Sequence, residues 1–564
     1  MDQVKNAVGD YYLDTYYNPD EDINFMFVFS GIIVIVGLVL IIIYVVKLNK
    51  SKKLFEKYSD KIEKVLNDVD NGKGIHNKIC KVFLSNDYIV GYDTGLSVIE
   101  VKDLLWVYQF VMRQNGIVTN KILYGVNKLG KSITITNVSP IIRKQNNALE
   151  ELYQDKLITK KELDSMVTPL SNVDYVKLKE TRLPLYKKAS KKFFQKLPQD
   201  FENFQKANES WLEAYVTFRS LKEYYQGKCF NEWDEDVIKG HLSEEIKEKI
   251  AEDKNMHLFI QYYFFKEWLS LKEYANKQGI KIIGDLPIYV SYDSSDVWQN
   301  PKNFELDEDL RPTRVAGCPP DAFSSDGQLW GNPLYDYKEM KKNSYKWWVE
   351  RILHSLKMFD VLRIDHFRGF AGFFAIPATD KTAKNGVWEK GPGFDIFEEL
   401  FKKVTNPKMI MEDLGYLTPD VYQLLKKTKF PGMRVLEFAF DGRKENDYLP
   451  HNYLQNTVVY TGTHDNMPLV GWVKTLSKDQ VNQIFNYFNI TKVNEIPDTL
   501  IKAALASIAD TAIIPLQDYL HLDENSRINT PSTVGNNWSF RIDLKLVTEE
   551  TIETVKEYVK KYYR

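Results

Sequence analysis

Three apolar stretches of this chain each end in acidic side chains. "FDVLRID" closes on Arg363 and Asp365 with His366 next, "KMIMEDLG" on Glu412 and Asp413, and "NTVVYTGTHDN" on His464 and Asp465. Side chains of an extended strand alternate faces, so Val361, Arg363 and Asp365 share one face while Leu362 and Ile364 take the other. A guanidinium beside a carboxylate favours the ionised form and lowers its pKa, as a nucleophile at neutral pH requires. A buried ion pair would use the same two residues. Carboxylates delivered by three strands to one rim can act as nucleophile and general acid/base, the chemistry that cleaves glycosidic bonds.

The elements that must position these groups are strands alternating with helices. Besides the three above, "IKIIGDLPIYV", "MRVLEFAF" and "TAIIPLQDYL" read as strands, and near-continuous apolar strands between helical segments predict a parallel sheet covered by helices. In such folds the chemistry gathers at the C-terminal ends of the strands. Residues 138–279 read as a helical subdomain ahead of this region, which spans 280–564, and residues 78–137 as a small β-rich segment.

Residues 25–46, "FMFVFSGIIVIVGLVLIIIYVV", carry no charge. At 1.5 Å per residue they reach across roughly 30 Å of hydrocarbon, so the sequence predicts a transmembrane helix. Asp20, Glu21 and Asp22 precede it, and Lys47, Lys50, Lys52 and Lys53 follow. That asymmetry predicts a single-pass protein with residues 1–24 as an extracytoplasmic tail, 47–77 as a juxtamembrane helix and the catalytic domain in the cytoplasm. A net charge of −2 gives no electrostatic footprint for nucleic acid. Three distant cysteines make neither a disulfide framework nor a metal spacing, and no phosphate loop or dinucleotide fingerprint is present, so no cofactor is expected.

"RIDHFRG", "EDLG" and "YTGTHDN", with "GDLPIYV", "CPPDAFSSDGQLWGNPLYD", "YLPHNY" and "RINTPSTVGNNWSFRI", closely resemble the amylomaltase, or 4-alpha-glucanotransferase, family over about residues 140–564. The resemblance implies an α/β fold with a (β/α)8 TIM-barrel catalytic domain, and transfer of maltooligosaccharide or starch-derived glucan segments by a retaining mechanism. It implies Asp365 as nucleophile, Glu412 as general acid/base, and Asp465 as the carboxylate holding the sugar's 2- and 3-hydroxyls. Arg363 would orient the nucleophile, and His366 and His464 would contact sugar hydroxyls. In the loop "GCPPDAFSSDGQLWGNPLYD", Phe323 and Trp330 offer flat faces for glucose rings, and Asp321 and Gln328 can read hydroxyls. Asp441 and His451 are further candidates for sugar contact, with surface capping the alternative. Asp285 is read as structural. The resemblance covers strands three to eight; the family's first two barrel strands have no counterpart, which predicts open parallel edges. Two readings stand: a membrane-tethered transferase, or a membrane-anchored glucan-binding protein or fusion without a working barrel.

Overall fold

The computed structural model describes residues 53, 56–71, 75–77, 82–84, 87–91, 97–100, 104–114, 117–127, 132–138, 148–166, 172–320, 325–415, 417–531 and 533–564. The expected tail and membrane helix lie outside these residues. Among the described residues no helix is long and apolar enough to cross a membrane. The chain divides into two units, 1–145 and 146–564.

In the first unit a helix over 56–70 buries Ile62 and Val65 in a small cluster with Val90. One antiparallel sheet contains β1 (Ile75–Asn77), β2 (Val82–Leu84), β3 (Tyr88–Gly91) and β4 (Ser97–Glu100) in that order. A second contains β5 (Leu104–Gln114), β6 (Ile117–Asn127) and β7 (Ser132–Val138). Each strand pairs with its neighbour in sequence, as short turns between strands require.

The second unit opens with helices. The longest, Glu244–Lys277, starts where the Ser243 hydroxyl accepts from the Ile246 amide at 3.3 Å, which satisfies one of the first-turn donors. Its Phe259, Tyr262 and Tyr263 pack with Phe193 and Phe201 into an aromatic core.

All six apolar runs after Ile280 then form parallel strands: β8 (Ile283–Leu286), β11 (Val361–Ile364), β14 (Met409–Met411), β15 (Gly432–Val435), β16 (Thr457–Tyr460) and β17 (Thr511–Ile513). They run in the order β8-β11-β14 and β15-β16-β17, and the Met411 amide donates to the Pro431 carbonyl at 2.9 Å where the two sets meet. Alternation splits each strand between two layers. Ile410, Met433, Val435, Val458 and Tyr460 pack together with Val361 on one side. Leu362, Ile364, Met409 and Met411 pack on the other side with Trp348, Ile352, Phe370 and Phe397 from the covering helices. Among the described residues β8 and β17 each pair on one side, and Ile283 on β8 is 41% exposed.

The segment read as a shaped loop from Gly317 to Asp336 contains sheet at both its start and its Trp330 end. β9 (Arg314–Cys318) and β10 (Gln328–Pro333) pair antiparallel, and β12 (Gly372–Pro377) and β13 (Val387–Lys390) complete a four-stranded layer. Glycines and prolines masked the strand pattern. Gly317 is required, because a Cβ there would lie 2.1 Å from the Gln328 carbonyl oxygen on the paired strand.

Candidate active site

Asp365 and Glu412 each sit one residue past the end of a strand. The ladder continues beneath them: the Asp365 amide donates to the Leu286 carbonyl and the Glu412 amide to the Ile364 carbonyl, both at 3.0 Å. Consecutive rungs therefore deliver two carboxylates from adjacent strands to one rim. His366 follows with a φ of 48°, a left-handed conformation rare for a residue with a Cβ. The turn aims its amide at Glu412, whose Oε2 accepts at 2.7 Å, while Oε1 accepts from the Leu414 amide at 3.1 Å.

Arg363 lies below both carboxylates and is buried. Its Nη1 reaches both oxygens of Asp285 at 2.7 Å, and its Nη2 lies 3.2 Å from Asp365 Oδ1. The sequence reading paired Arg363 with Asp365 alone and set Asp285 aside as structural; Asp285 makes the closer contact. Parallel register explains this, since Arg363 stands directly opposite Asp285 across β11 and β8. Asp413, by contrast, is fully buried and turned away from the rim. It accepts from the Met433 amide at 2.5 Å and pairs with Arg434 at 3.1 Å, tying β14 to β15. Removing one partner of such a buried pair costs about 3–5 kcal/mol, so Asp413 is structural. Gly432 leaves room for it: a Cβ there would stand 2.4 Å from the carboxylate.

Asp465 comes from the loop after β16. Its Oδ1 accepts from Asn529 Nδ2 at 2.6 Å and lies 3.5 Å from His464 Nε2, and Arg527 Nη2 donates to its carbonyl oxygen at 2.5 Å. The Trp538 ring, 53% exposed, lies 5.1 Å from that of His464. Trp538 and Arg527 were missed as site residues; the C-terminal motif containing them was the one available signal. On the other side, Trp330 meets the His366 ring edge-on at 5.0 Å, and its indole N–H donates to Gln328 Oε1 at 3.1 Å. Asp321 and Phe323 lie outside the described residues. Asp441 spends both oxygens on Arg443, and His451 bonds and stacks with Tyr487, so these two candidates are engaged locally. Among the described residues no group of three or more His, Cys, Asp or Glu is arranged to hold a metal ion.

The two carboxyls share one electrostatic field, and burial raises both. Burial, opposed by Arg363 and reinforced by Asp365, pushes Glu412 up to about 7. Burial also raises Asp365 above the usual carboxylate value, against the pull of Arg363 and with the charges of Asp285 and Asp465 adding to it. The expected lowering by Arg363 is thus real and outweighed. Asp365 keeps 40% of its side-chain surface open, so water can sustain its charge where burial alone would not. His366 is lowered to about 4, by burial first and Arg368 second, and is neutral at physiological pH. A carboxyl held up to about 7 beside a second carboxyl partly open to water is an arrangement that can supply an acid and a nucleophile. Activity that needs Glu412 protonated holds below about pH 7 and is lost as pH rises through it, and it fades again in acid as Asp365 takes up a proton. Initial rates of glucan transfer across pH 4–9 check both limbs; a flat profile from pH 6 to 9 contradicts the assignment.

Residues 118–546 match the family model described as 4-alpha-glucanotransferase, glycoside hydrolase 77. The chain belongs to this family. It is 43% identical over 396 residues to the 4-alpha-glucanotransferase of Clostridium butyricum, an alignment covering 70% of this chain and 81% of that protein. It is 42% identical over 402 residues to the chloroplastic/amyloplastic 4-alpha-glucanotransferase of Solanum tuberosum, covering 70% of each. Its structure is similar to that of the Streptococcus agalactiae amylomaltase in complex with acarbose, with a TM-score of 0.70 and 38% identity over 74% of this chain and 86% of that one. The six strands accordingly belong to an amylomaltase-like fold of the (β/α)8 type, and the chain has the enzyme function of a 4-alpha-glucanotransferase.

Proposed function

We propose that this glucanotransferase moves α-1,4-glucan segments between maltooligosaccharides in two retaining steps, with Asp365 as nucleophile, Glu412 as general acid/base and Asp465 gripping the 2- and 3-hydroxyls. The observation that carries the reading is the delivery of Asp365 and Glu412 to one rim by consecutive rungs of adjacent strands, with burial pushing Glu412 up to about 7. Glu412 gives its proton to the leaving glucan oxygen as an Asp365 oxygen bonds to the anomeric carbon. Glu412, now a carboxylate, takes the proton of an incoming 4-hydroxyl as that oxygen displaces Asp365. Arg363, held by Asp285, shares its charge with the nucleophile before and after the ester forms. Trp330 and Trp538 flank the rim beside His366 and His464 and offer sugar-sized faces. The amylomaltase neighbour is in complex with acarbose, which supports a glucan as the ligand of this chain. Every residue given a role sits on the six strands or the segments that follow them.

The rival is a glucan-binding protein without turnover. Incubation with maltotriose separates the two: glucose together with longer maltodextrins is the expected result, and binding without new products sinks the proposal. Glucose with only shorter sugars would mark a hydrolase.

The proposal includes a single-pass anchor at residues 25–46, with the catalytic unit on the cytoplasmic side. It rests on 22 uncharged residues followed by lysines. The full chain is expected to stay in the membrane pellet after carbonate washing, with its C-terminal region protected from protease in intact cells. Recovery in the soluble fraction would remove the anchor and leave the chemistry untouched.

A further inference from the structure

Glu437 belongs to none of the motifs that define the reaction. It stands in the turn just after β15, is 7% exposed, and its Oε2 accepts from Asn466 Nδ2 at 2.9 Å. Asn466 in turn closes the loop that presents Asp465. Its Oδ1 accepts from the Thr463 amide at 3.0 Å and from the Thr463 hydroxyl at 2.8 Å, and that hydroxyl oxygen lies 3.2 Å from the donating Asp465 amide. The two ends of the segment are tied to Asp518, which accepts from the Thr461 hydroxyl at 2.6 Å and the Leu469 amide at 2.8 Å. Two buried carboxyls thus hold the segment from Thr461 to Leu469. The fit against Glu437 is close: a Cβ on Gly462 would stand 2.8 Å from its Oε1.

We infer that Glu437 and Asn466 form a positioning pair that sets the orientation of Asp465 toward the reacting sugar. This rests on the role given to Asp465 above. The groups facing Glu437 are Asn466, the Asp518 carboxyl and the Arg527 guanidinium. Arg527 is already committed to the Asp465 and Asn529 carbonyl oxygens. Burial, with the neighbouring Asp518 adding to it, holds Glu437 well above the usual carboxylate range, which favours its uncharged form. An ionised Glu437 would place a further negative charge behind Asp465. What the loop needs is the carbonyl-type acceptor toward Asn466, and a glutamine supplies the same one.

The pair makes a specific pattern of effects in maltotriose transfer by the full chain. Glu437→Leu and Asn466→Ala each lower kcat by about 10- to 100-fold, the range expected for one buried hydrogen bond lost, with KM changed far less. Glu437→Gln stays within about 3-fold of the parent, because the acceptor survives. The double variant is no worse than the poorer single one, since both remove one interaction. Circular dichroism confirms the fold of each variant. If Glu437→Leu does not fold, Asn466→Ala decides alone, and an unchanged kcat in it overturns the inference. A glutamine variant as damaged as the leucine one overturns it too, because the charge would then be what matters. Asp465→Asn separates the levels: if that variant keeps full activity, the role of Asp465 falls first. If it is inactive while Glu437→Leu is unimpaired, only the positioning pair falls.

Discussion

Asp365→Asn is expected to reduce glucan transfer by at least about 10⁴-fold, because an amide cannot form the glycosyl ester on which a retaining pathway depends. The loss should be chemical and should leave stability nearly unchanged. Arg363, the buried cation beneath Asp365, keeps its 2.7 Å contacts to both oxygens of Asp285, so the substitution strands no buried charge. Steady-state rates on maltotriose, set beside the thermal unfolding midpoint, check both halves. A variant that turns over at more than a hundredth of the parental rate removes the nucleophile from Asp365. One that is inactive and also unfolded says nothing about chemistry, which is why the melting curve belongs in the experiment.

Glu412→Gln should lower transfer between maltooligosaccharides by about 10²–10⁴-fold, the usual contribution of general acid–base catalysis. The pattern across substrates is more diagnostic than the size. α-Glucosyl fluoride has a leaving group that needs no proton, so formation of the covalent intermediate from it should recover in the variant. The second step should stay slow, because no base is left to deprotonate the acceptor. The alkaline limb near pH 7 should disappear, since the group whose burial pushes it up to about 7 is gone. A variant equally slow with both donors would show that Glu412 is not the proton source. Both of its oxygens accept from backbone amides, at 2.7 and 3.1 Å, so the glutamine's NH2 group meets a donor in either orientation. A modest loss of stability is therefore expected alongside the kinetic effect.

The strands were readable because a parallel strand covered on both faces must be almost wholly apolar over its short length, and six such runs stand out from the surrounding helical text. The reacting carboxylates were readable for a related reason: acids at three strand ends interrupt those runs where the sheet opens. The supporting contacts were hidden because they join residues far apart in sequence. Arg363 appears beside Asp365 in the text, yet its closest partner, Asp285, lies 78 residues away and is chosen by register between β11 and β8. Asn529 meets Asp465 across 64 residues and Asn466 meets Glu437 across 29, and no local pattern announces either pair. The region around Trp330 was read as loop because Gly and Pro crowd it, whereas hydrogen bonding to a partner strand makes it sheet. Asp441 and His451 looked available as isolated polar residues, and Arg443 and Tyr487 engage them. Composition alone could not show such engagement.

A 5-fluoroglucosyl fluoride tests the central claim most directly, because it loads the enzyme quickly and leaves it slowly. The full chain is treated with this reagent, digested and read by peptide mass spectrometry. The expected product is a single fluoroglucosyl ester on the peptide carrying "RIDHFRG", with fragmentation placing the sugar on Asp365 and no adduct in the Asp365→Asn variant. An ester on Asp285 or Asp465, or turnover with inverted anomeric configuration and no adduct anywhere, would contradict it.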